Sequence, residues 1–225
     1  MIRVFLAILI ATSLYGDIYA TYEVKAKYES SLNMDSSGIV KDIFVDIGDS
    51  VTKNQTLLRL DDSEEEAIYE NSKLEYEFLL SQYQRYKSSK DAFDINTLEK
   101  LSIDLQQTKN QIIIQKSKLN KKSLLSPYDG VIAQKYIELG DKVTGDNKPL
   151  FVLLSHQKKL IIKVDSSYIT KIKLEDKFCF DEGTRCVSIA KIYPSIDPKT
   201  QKLSLEAYDD GLVVGSFGEG YIKIK

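Results

Sequence analysis

The side chains that could do bond chemistry are few, and their spacing narrows them further. One histidine (His156), two cysteines (Cys179 and Cys186) and, beyond the initiator, one methionine (Met34) stand in 225 residues. A metal centre needs three or four convergent ligands, and a His-activated nucleophile needs its own constellation, so this inventory excludes most metalloenzyme and triad mechanisms. The cysteines frame Cys179-Phe180-Asp181-Glu182-Gly183-Thr184-Arg185-Cys186. With Glu182-Gly183 as a two-residue hairpin turn, 181 pairs with 184, 180 with 185, and Cys179 faces Cys186. A cross-strand disulfide fits that geometry and would contribute about 2 to 3 kcal/mol on the chain-entropy model. The competing reading, a redox or metal pair, lacks two further ligands or the C-x-x-C spacing. For His156, a pH-sensing role competes with an incidental place in a linker.

No other residue set offers catalysis, so the elements themselves carry the argument. Lys plus Arg (31) nearly balance Asp plus Glu (33), and the formal charge of −2 provides no basic field for a polyanionic backbone. Nucleic acid is excluded as the main partner. A hydrophobic fraction of 43% supplies cores for one or two domains. Residues 1–20 read as a secretory signal peptide: Arg3, a mainly apolar run from Val4 to Leu14, then a more polar stretch ending at Ala20. The run is about eleven residues, short of the ~20 that cross a bilayer as a helix. Cleavage is expected after Ala20, with an uncleaved amino-terminal anchor as the alternative; no cysteine lies near for lipidation. Export would place the chain where disulfides persist.

Residues 38–52 recur at an offset of 92. Gly38-Ile39-Val40 maps to Gly130-Val131-Ile132, Val45 to Ile137, Gly48-Asp49 to Gly140-Asp141, and Val51-Thr52 to Val143-Thr144. After one extra residue, Leu150-Phe151-Val152-Leu153 answers Leu57-Leu58-Arg59-Leu60. Each copy is short β-like alternation punctuated by a Gly-Asp turn, and neither can bury its apolar face alone. The two are expected to form one small β-sandwich, residues 34–60 and 124–155, with the glycines as turn residues.

The intervening segment, 61–123, has helical character. Ser63-x-x-Glu66 and Asn96-x-x-Glu99 are capping boxes, and Asp61, Asp62, Glu64, Glu65 and Glu66 crowd the positive end of the first helix. Tyr69, Tyr76, Leu79, Tyr83 and Tyr86 form one seam, with Ala67, Leu74 and Phe78 beside it. Leu98, Leu101, Leu105, Thr108, Ile112, Gln115 and Leu119 keep a heptad seam in the second helix. The prediction is an antiparallel coiled coil about 40 Å long at 1.5 Å per residue, with surplus tyrosines suited to lateral contact between neighbouring hairpins. Beyond Leu154, short β runs at 160–164, 177–180, 186–192, 203–207 and 221–224 predict a small barrel over 156–225, joined by a strand from 21–33. The fold class is thus α+β, mainly β: a lipoyl-like sandwich split by a helical hairpin and followed by a barrel.

This order, with Gly38-Ile39-Val40 through Gly48-Asp49-x-Val51 and Ser126-Pro127-Tyr128-Asp129-Gly130 through Gly140-Asp141-x-Val143 as paired half-motifs, resembles the periplasmic adaptor subunits (membrane fusion proteins, HlyD-like) of tripartite efflux pumps. Ile192-x-Pro194, Asp197, Thr200 and Gly215-Ser216-Phe217 are similar to the closing strands of that family. Lipoyl and biotinyl carriers share the half-motifs, but their modified lysine sits on the turn that residues 61–123 replace here. The resemblance implies no enzyme activity and no cofactor. It implies a periplasmic protein associated with the inner membrane, self-associated in a ring, commonly a hexamer. It also implies two partners, an inner-membrane transporter, of the proton-driven RND type or alternatively ABC-type, and a TolC-like outer-membrane channel. In relatives that meet such a channel the hairpin tip carries Arg-x-x-x-Leu-x-x-x-x-x-x-Ser. Here Arg85 matches, Ser89 stands for the Leu and Asn96 for the Ser, while Ala92, Phe93 or Ile95 supplies the apolar contact.

Overall fold

The computed structural model describes residues 16–88, 95–146 and 148–224. In chain order the elements are β1 (Ile18–Ala26), β2 (Glu29–Leu32), β3 (Gly38–Ile43), β4 (Ser50–Val51), β5 (Thr56–Leu60), α1 (Ser63–Ser88) and α2 (Ile95–Asn120). They continue with β6 (Ser123–Leu125), β7 (Gly130–Lys135), β8 (Lys142–Val143), β9 (Phe151–Ser155) and β10 (Lys158–Asp165). The last are β11 (Lys177–Phe180), β12 (Arg185–Ser188), β13 (Lys191–Ile196), β14 (Lys202–Ala207) and β15 (Phe217–Lys223). Two compact units result: Glu29–Leu154, and the flanking segments up to Tyr28 and from Ser155.

In the first unit the repeat folds by exchange. The two sheets run β2-β9-β7-β4 and β6-β5-β3-β8. Strand β4 pairs with β7 through Ser50↔Val131 and Val51↔Gly130, and β8 pairs with β3 through Ile39↔Lys142 and Gly38↔Val143. These are the same pairs shifted by the repeat offset, with the halves interchanged. Each half lends a two-residue strand to the other's sheet, so neither completes a sheet alone. Val40, Val45, Val51, Leu57, Leu58 and Leu60 pack with Ile132, Ile137, Val143, Leu150, Phe151 and Leu153 in one core. Burying side chains of this size contributes about 1.5 to 3 kcal/mol each, which makes the interlocked core the main source of this unit's stability.

The helical hairpin belongs to the same unit. The seam in α2 is as its spacing predicts: Thr108 and Gln115 are buried, and Leu98, Leu101, Leu105, Ile112 and Leu119 are half-buried. In α1 the expected seam is half-buried at Tyr69, Tyr76, Leu79 and Tyr83 around buried Ser72, while its last member, Tyr86, is exposed. The neighbouring row departs from the expectation, because Leu74 and Phe78 remain 62% and 58% exposed. Two helices offer each other one seam, and a second apolar row needs a third surface. The caps also differ from the boxes. Asp61 Oδ1 accepts from Ser63 N–H at 3.3 Å and from Ser63 Oγ at 2.7 Å, so Asp61 does the capping. Strand and helix roots are tied by Lys122 Nζ, 2.9 Å from Glu65 and donating to Ser37 O at 3.2 Å.

The second unit is one antiparallel sheet, β12-β11-β15-β1-β10-β14-β13. Residues from β1, β10, β11, β14 and β15 share a single buried cluster that includes Val24, Leu160, Ile162, Phe178, Leu203, Leu205 and Ile222. One sheet whose single face forms one core must curl, which gives a barrel-like sheet with β12 and β13 at its two edges. Cys179 and Cys186 pair across β11 and β12 in the expected register and are bonded as a disulfide. Glu182 (φ 56°) and Gly183 (φ 82°) form the turn, as a two-residue hairpin of the primed type requires.

Two expected boundaries move. Residues 29–32 leave the barrel strand: Leu32 is buried in the sandwich core, and Glu29–Leu32 pairs with β9. The alternation runs on through 21–33, so pattern alone hides a break that Lys27 and Tyr28 make by bonding to Gln157 and Ser155. At its other end β1 begins at Ile18, inside the segment read as leader through Ala20. Ile18, Ala20, Tyr22, Val24 and Ala26 are all buried, one continuous period of two. Residues 1–15 of the expected leader lie outside the described residues.

Candidate functional site

Two groups of residues carry the functional expectation, and a third emerges from the structure. The first is the pair of Gly-Asp turns. Asp46 N–H donates to Asp49 Oδ2 at 2.7 Å, and Glu138 N–H donates to Asp141 Oδ2 at 2.9 Å, again offset by 92. Gly48 and Gly140 adopt φ +91° and +85°, a left-handed conformation that favours glycine. From there Gly48 N–H donates to Ile132 O at 2.8 Å, and Gly140 N–H to Val40 O at 3.0 Å. The return bonds, Ile132 N–H to Asp49 O and Val40 N–H to Asp141 O, close each turn onto the opposite half. The turns are clasps, and their donors are used up in holding the sandwich together.

The segment before the second glycine locks the clasp. Asp129 Oδ1 accepts from Lys53 N–H at 2.7 Å, and Tyr128 Oη donates to Leu153 O at 3.0 Å. A Cβ at Gly130 would lie 2.3 Å from Leu154 O, whereas one at Gly38 would meet the Leu60 side chain at 3.3 Å. Gly38 and Gly130, expected in turns, instead open strands β3 and β7; Gly130 is required there by close backbone approach, and its repeat mate is not.

The second group is the hairpin end. With the roots joined at Glu65 and Lys122, the other ends lie about 39 Å away along helices of 26 residues. Arg85 lies exposed in the last turn of α1. Asn96 is exposed in the first turn of α2 (Ile95–Asn120). Ser89 and Phe93 lie outside the described residues. Packing α1 against α2 antiparallel therefore brings Arg85 and Asn96 to the same end. Along the shaft, Leu74, Phe78, Ile103 and Ile113 are each more than half exposed, forming apolar rows away from the seam.

The third group was missed by sequence reasoning. Glu206 on β14 is buried, yet its carboxylate is fully engaged: Tyr208 Oη donates to Oε1 at 2.5 Å, Tyr193 Oη to Oε2 at 3.0 Å, and Lys191 Nζ to Oε1 at 3.3 Å. Burial alone would raise its pKa, but the donated bonds from Tyr208, Tyr193 and Lys191 outweigh it and hold Glu206 below the ordinary carboxylate range. A folded value below the unfolded one means the stabilisation is complete above about pH 4.3 and is lost as pH falls through the folded value. Glu206→Gln is expected to cost about 1 to 3 kcal/mol near pH 7. Urea midpoints measured from pH 7 to pH 3 should show the wild-type advantage shrinking only below about pH 4.3; an advantage independent of pH would refute this reading of the carboxylate. No local pattern marks Glu206, since its partners come from β13 and from beyond β14.

His156 is exposed between β9 and β10. Among the described residues, no three His, Cys, Asp or Glu side chains group as a metal site, and no helix is long and apolar enough to cross a membrane.

These features can be set beside known proteins. Residues 31–153, the sandwich with its inserted hairpin, match the model of the CzcB-like, barrel-sandwich hybrid domain. No curated protein sequence gives a match. Among solved structures, a MacA-MexA chimeric protein containing the Pseudomonas aeruginosa MexA alpha-hairpin domain superposes with a TM-score of 0.77 at 20% identity, covering 93% of this chain and 79% of that one. The membrane fusion protein Spr0693 from Streptococcus pneumoniae R6 gives 0.69 at 14% identity, over 92% and 99% of the two chains. MacA from Actinobacillus actinomycetemcomitans gives 0.65 at 16% identity, over 92% and 78%. These likenesses extend through the barrel and show its fold. With its clasped halves, inserted hairpin and a family match over more than half of its length, the chain belongs to the CzcB-like barrel-sandwich hybrid family, whose members are non-enzymatic membrane fusion adaptors.

Proposed function

We propose that the chain is a periplasmic adaptor of an efflux pump, linking an inner-membrane transporter to a TolC-like outer-membrane channel for the export of small molecules. One observation carries the reading: a helical hairpin, anchored at its root by the clasped sandwich, keeps apolar rows exposed along its shaft and Arg85 at its free end. Leu74 and Phe78 on one helix, and Ile103 and Ile113 on the other, suit contact with neighbouring copies. A head-to-tail interface that closes on itself gives a ring, and a hexamer is the proposed state. In such a ring the hairpins form a conduit, and the energy comes from the transporter.

The transporter is proposed to be of the RND type, supported by a hairpin of about four heptads per arm and by Arg85 at the tip. A guanidinium there can hold a partner's carboxylate or carbonyls in a bidentate bond. Arg85→Asp should therefore abolish efflux-dependent resistance while export and folding persist, as judged by envelope levels and circular dichroism. Resistance equal to wild type would remove Arg85 from the docking site. An ABC-type exporter is the alternative partner, and the transporter recovered with the adaptor decides between them.

A further inference from the structure

We infer that the leader is removed at the Gly16–Asp17 peptide bond, upstream of the expected site after Ala20, so that the mature chain begins with Asp17 and enters the barrel as a complete β1. The inference concerns processing and rests on the exported reading of the leader, independent of which transporter the adaptor serves.

Cleavage after Ala20 would remove residues that the fold uses. Ile18 and Ala20 are 3% and 1% exposed, and both belong to the barrel core. Ile18 pairs with Ile222, Tyr19 with Tyr221 and Ala20 with both Gly220 and Val164. Tyr19 Oη also donates to Glu219 Oε2 at 2.6 Å, and its ring meets that of Tyr221 edge-on at 5.9 Å. Because β1 is interior to the sheet, between β15 and β10, losing its first three residues strips the facing stretch of β15 of a partner on that side. The unpaired backbone groups and the emptied Ile18 position would both destabilise the barrel.

Upstream of β1 the choice of bond is narrow. A secretory leader is cut after its apolar run, behind an A-x-A-like pair of small residues; at Gly16 the inner position is small and the outer one is Leu14. The run ends at Leu14, and of Tyr15, Gly16 and Asp17, the residues between it and Ile18, Gly16 is the small one. Gly16 and Asp17 are exposed and lie outside any strand, and among the described residues nothing stands within 4 Å of a Cβ built at Gly16. The step is amide hydrolysis by water: the Gly16 carbonyl carbon gains the hydroxyl as a carboxylate, and the Asp17 nitrogen leaves as the amine.

The full chain, tagged at its carboxyl end, should be expressed in a Gram-negative host and recovered separately from the periplasmic, membrane and cytoplasmic fractions for intact mass and amino-terminal sequencing. The expected result is a periplasmic species beginning Asp-Ile-Tyr-Ala. A species beginning at Thr21 overturns the inference and leaves export standing. A full-length species in the membrane fraction, digestible from the periplasmic side, also overturns it, in favour of an anchor. A full-length species confined to the cytoplasm overturns the exported reading itself. As a second measurement, chains made directly from Asp17 and from Thr21 should differ in melting temperature by several degrees, the Thr21 chain melting lower; equal melting would contradict the structural premise.

Discussion

Gly130→Val is expected to prevent the sandwich from folding at ordinary temperatures, whereas Gly38→Ala at the repeat mate should be tolerated. At Gly130 the new Cβ would stand 2.3 Å from a main-chain oxygen, Leu154 O, and 3.1 Å from Leu153 Cδ1. Main chain cannot swing aside as a side chain can. Strand β7 would have to leave either its pairing with β4 at Val51 or its place against β9. Overpacking of this kind costs about 1 to 3 kcal/mol where side chains give way, and more where the backbone must. A domain holds only about 5 to 15 kcal/mol in all. At Gly38 the contact is with the Leu60 side chain at 3.3 Å, so a small rotation absorbs an alanine. Urea unfolding of the two variants checks the contrast: the valine variant should show no cooperative sandwich transition, and the alanine variant should lie within about 1 kcal/mol of wild type. Equal effects would mean that the clasp is symmetric in energy as well as in sequence.

Excising the hairpin should have the opposite profile, leaving the sandwich folded and removing the function entirely. Strands β5 and β6 are already neighbours, with Arg59 opposite Ser123 and Leu60 N–H donating to Lys122 O at 2.9 Å. A short Asn-Gly turn in place of residues 61–121 can therefore join Leu60 to Lys122 without moving either strand. The core residues from Val40 to Leu153 make no use of the helices. The expected outcome is a cooperative, exported protein that restores no resistance above the empty-vector level in a strain lacking the wild-type gene. Restored resistance would remove the hairpin from the mechanism and with it the proposed channel contact. The comparison with Arg85→Asp then separates the shaft from its tip.

The parts of this fold that were legible in the sequence are those where one local period decides the outcome. Leu98 to Leu119 keeps a heptad, and that row is the observed seam. The 92-residue offset links Gly48-Asp49 to Gly140-Asp141, and the same offset relates the hydrogen bonds of the two turns. Cys179 and Cys186 were legible because the two-residue turn between them fixes the register. Where two readings share one pattern, the sequence was ambiguous. Ile18, Ala20 and Tyr22 alternate as a strand, yet the stretch also resembles the polar end of a leader, and only burial distinguishes them. The alternation through 21–33 likewise conceals the change of unit at Tyr28. The row of Ala67, Leu74 and Phe78 has helical spacing but no surface to meet within the described chain. Glu206 was illegible because its environment is assembled by strand pairing, which brings Lys191 opposite it and Tyr193 within reach. Of the tip, Arg85 and Asn96 lie at one end of the helix pair, while Ser89 and Phe93 lie outside the described residues.

The most direct test of the adaptor reading is recovery of the tagged protein from its native envelope in mild detergent, with its partners identified by mass spectrometry. The account predicts that an inner-membrane transporter and an outer-membrane channel come down together with the wild-type chain, and that the channel alone is lost with Arg85→Asp. Recovery of neither, under conditions that preserve other envelope complexes, would contradict the adaptor function while leaving the fold as described.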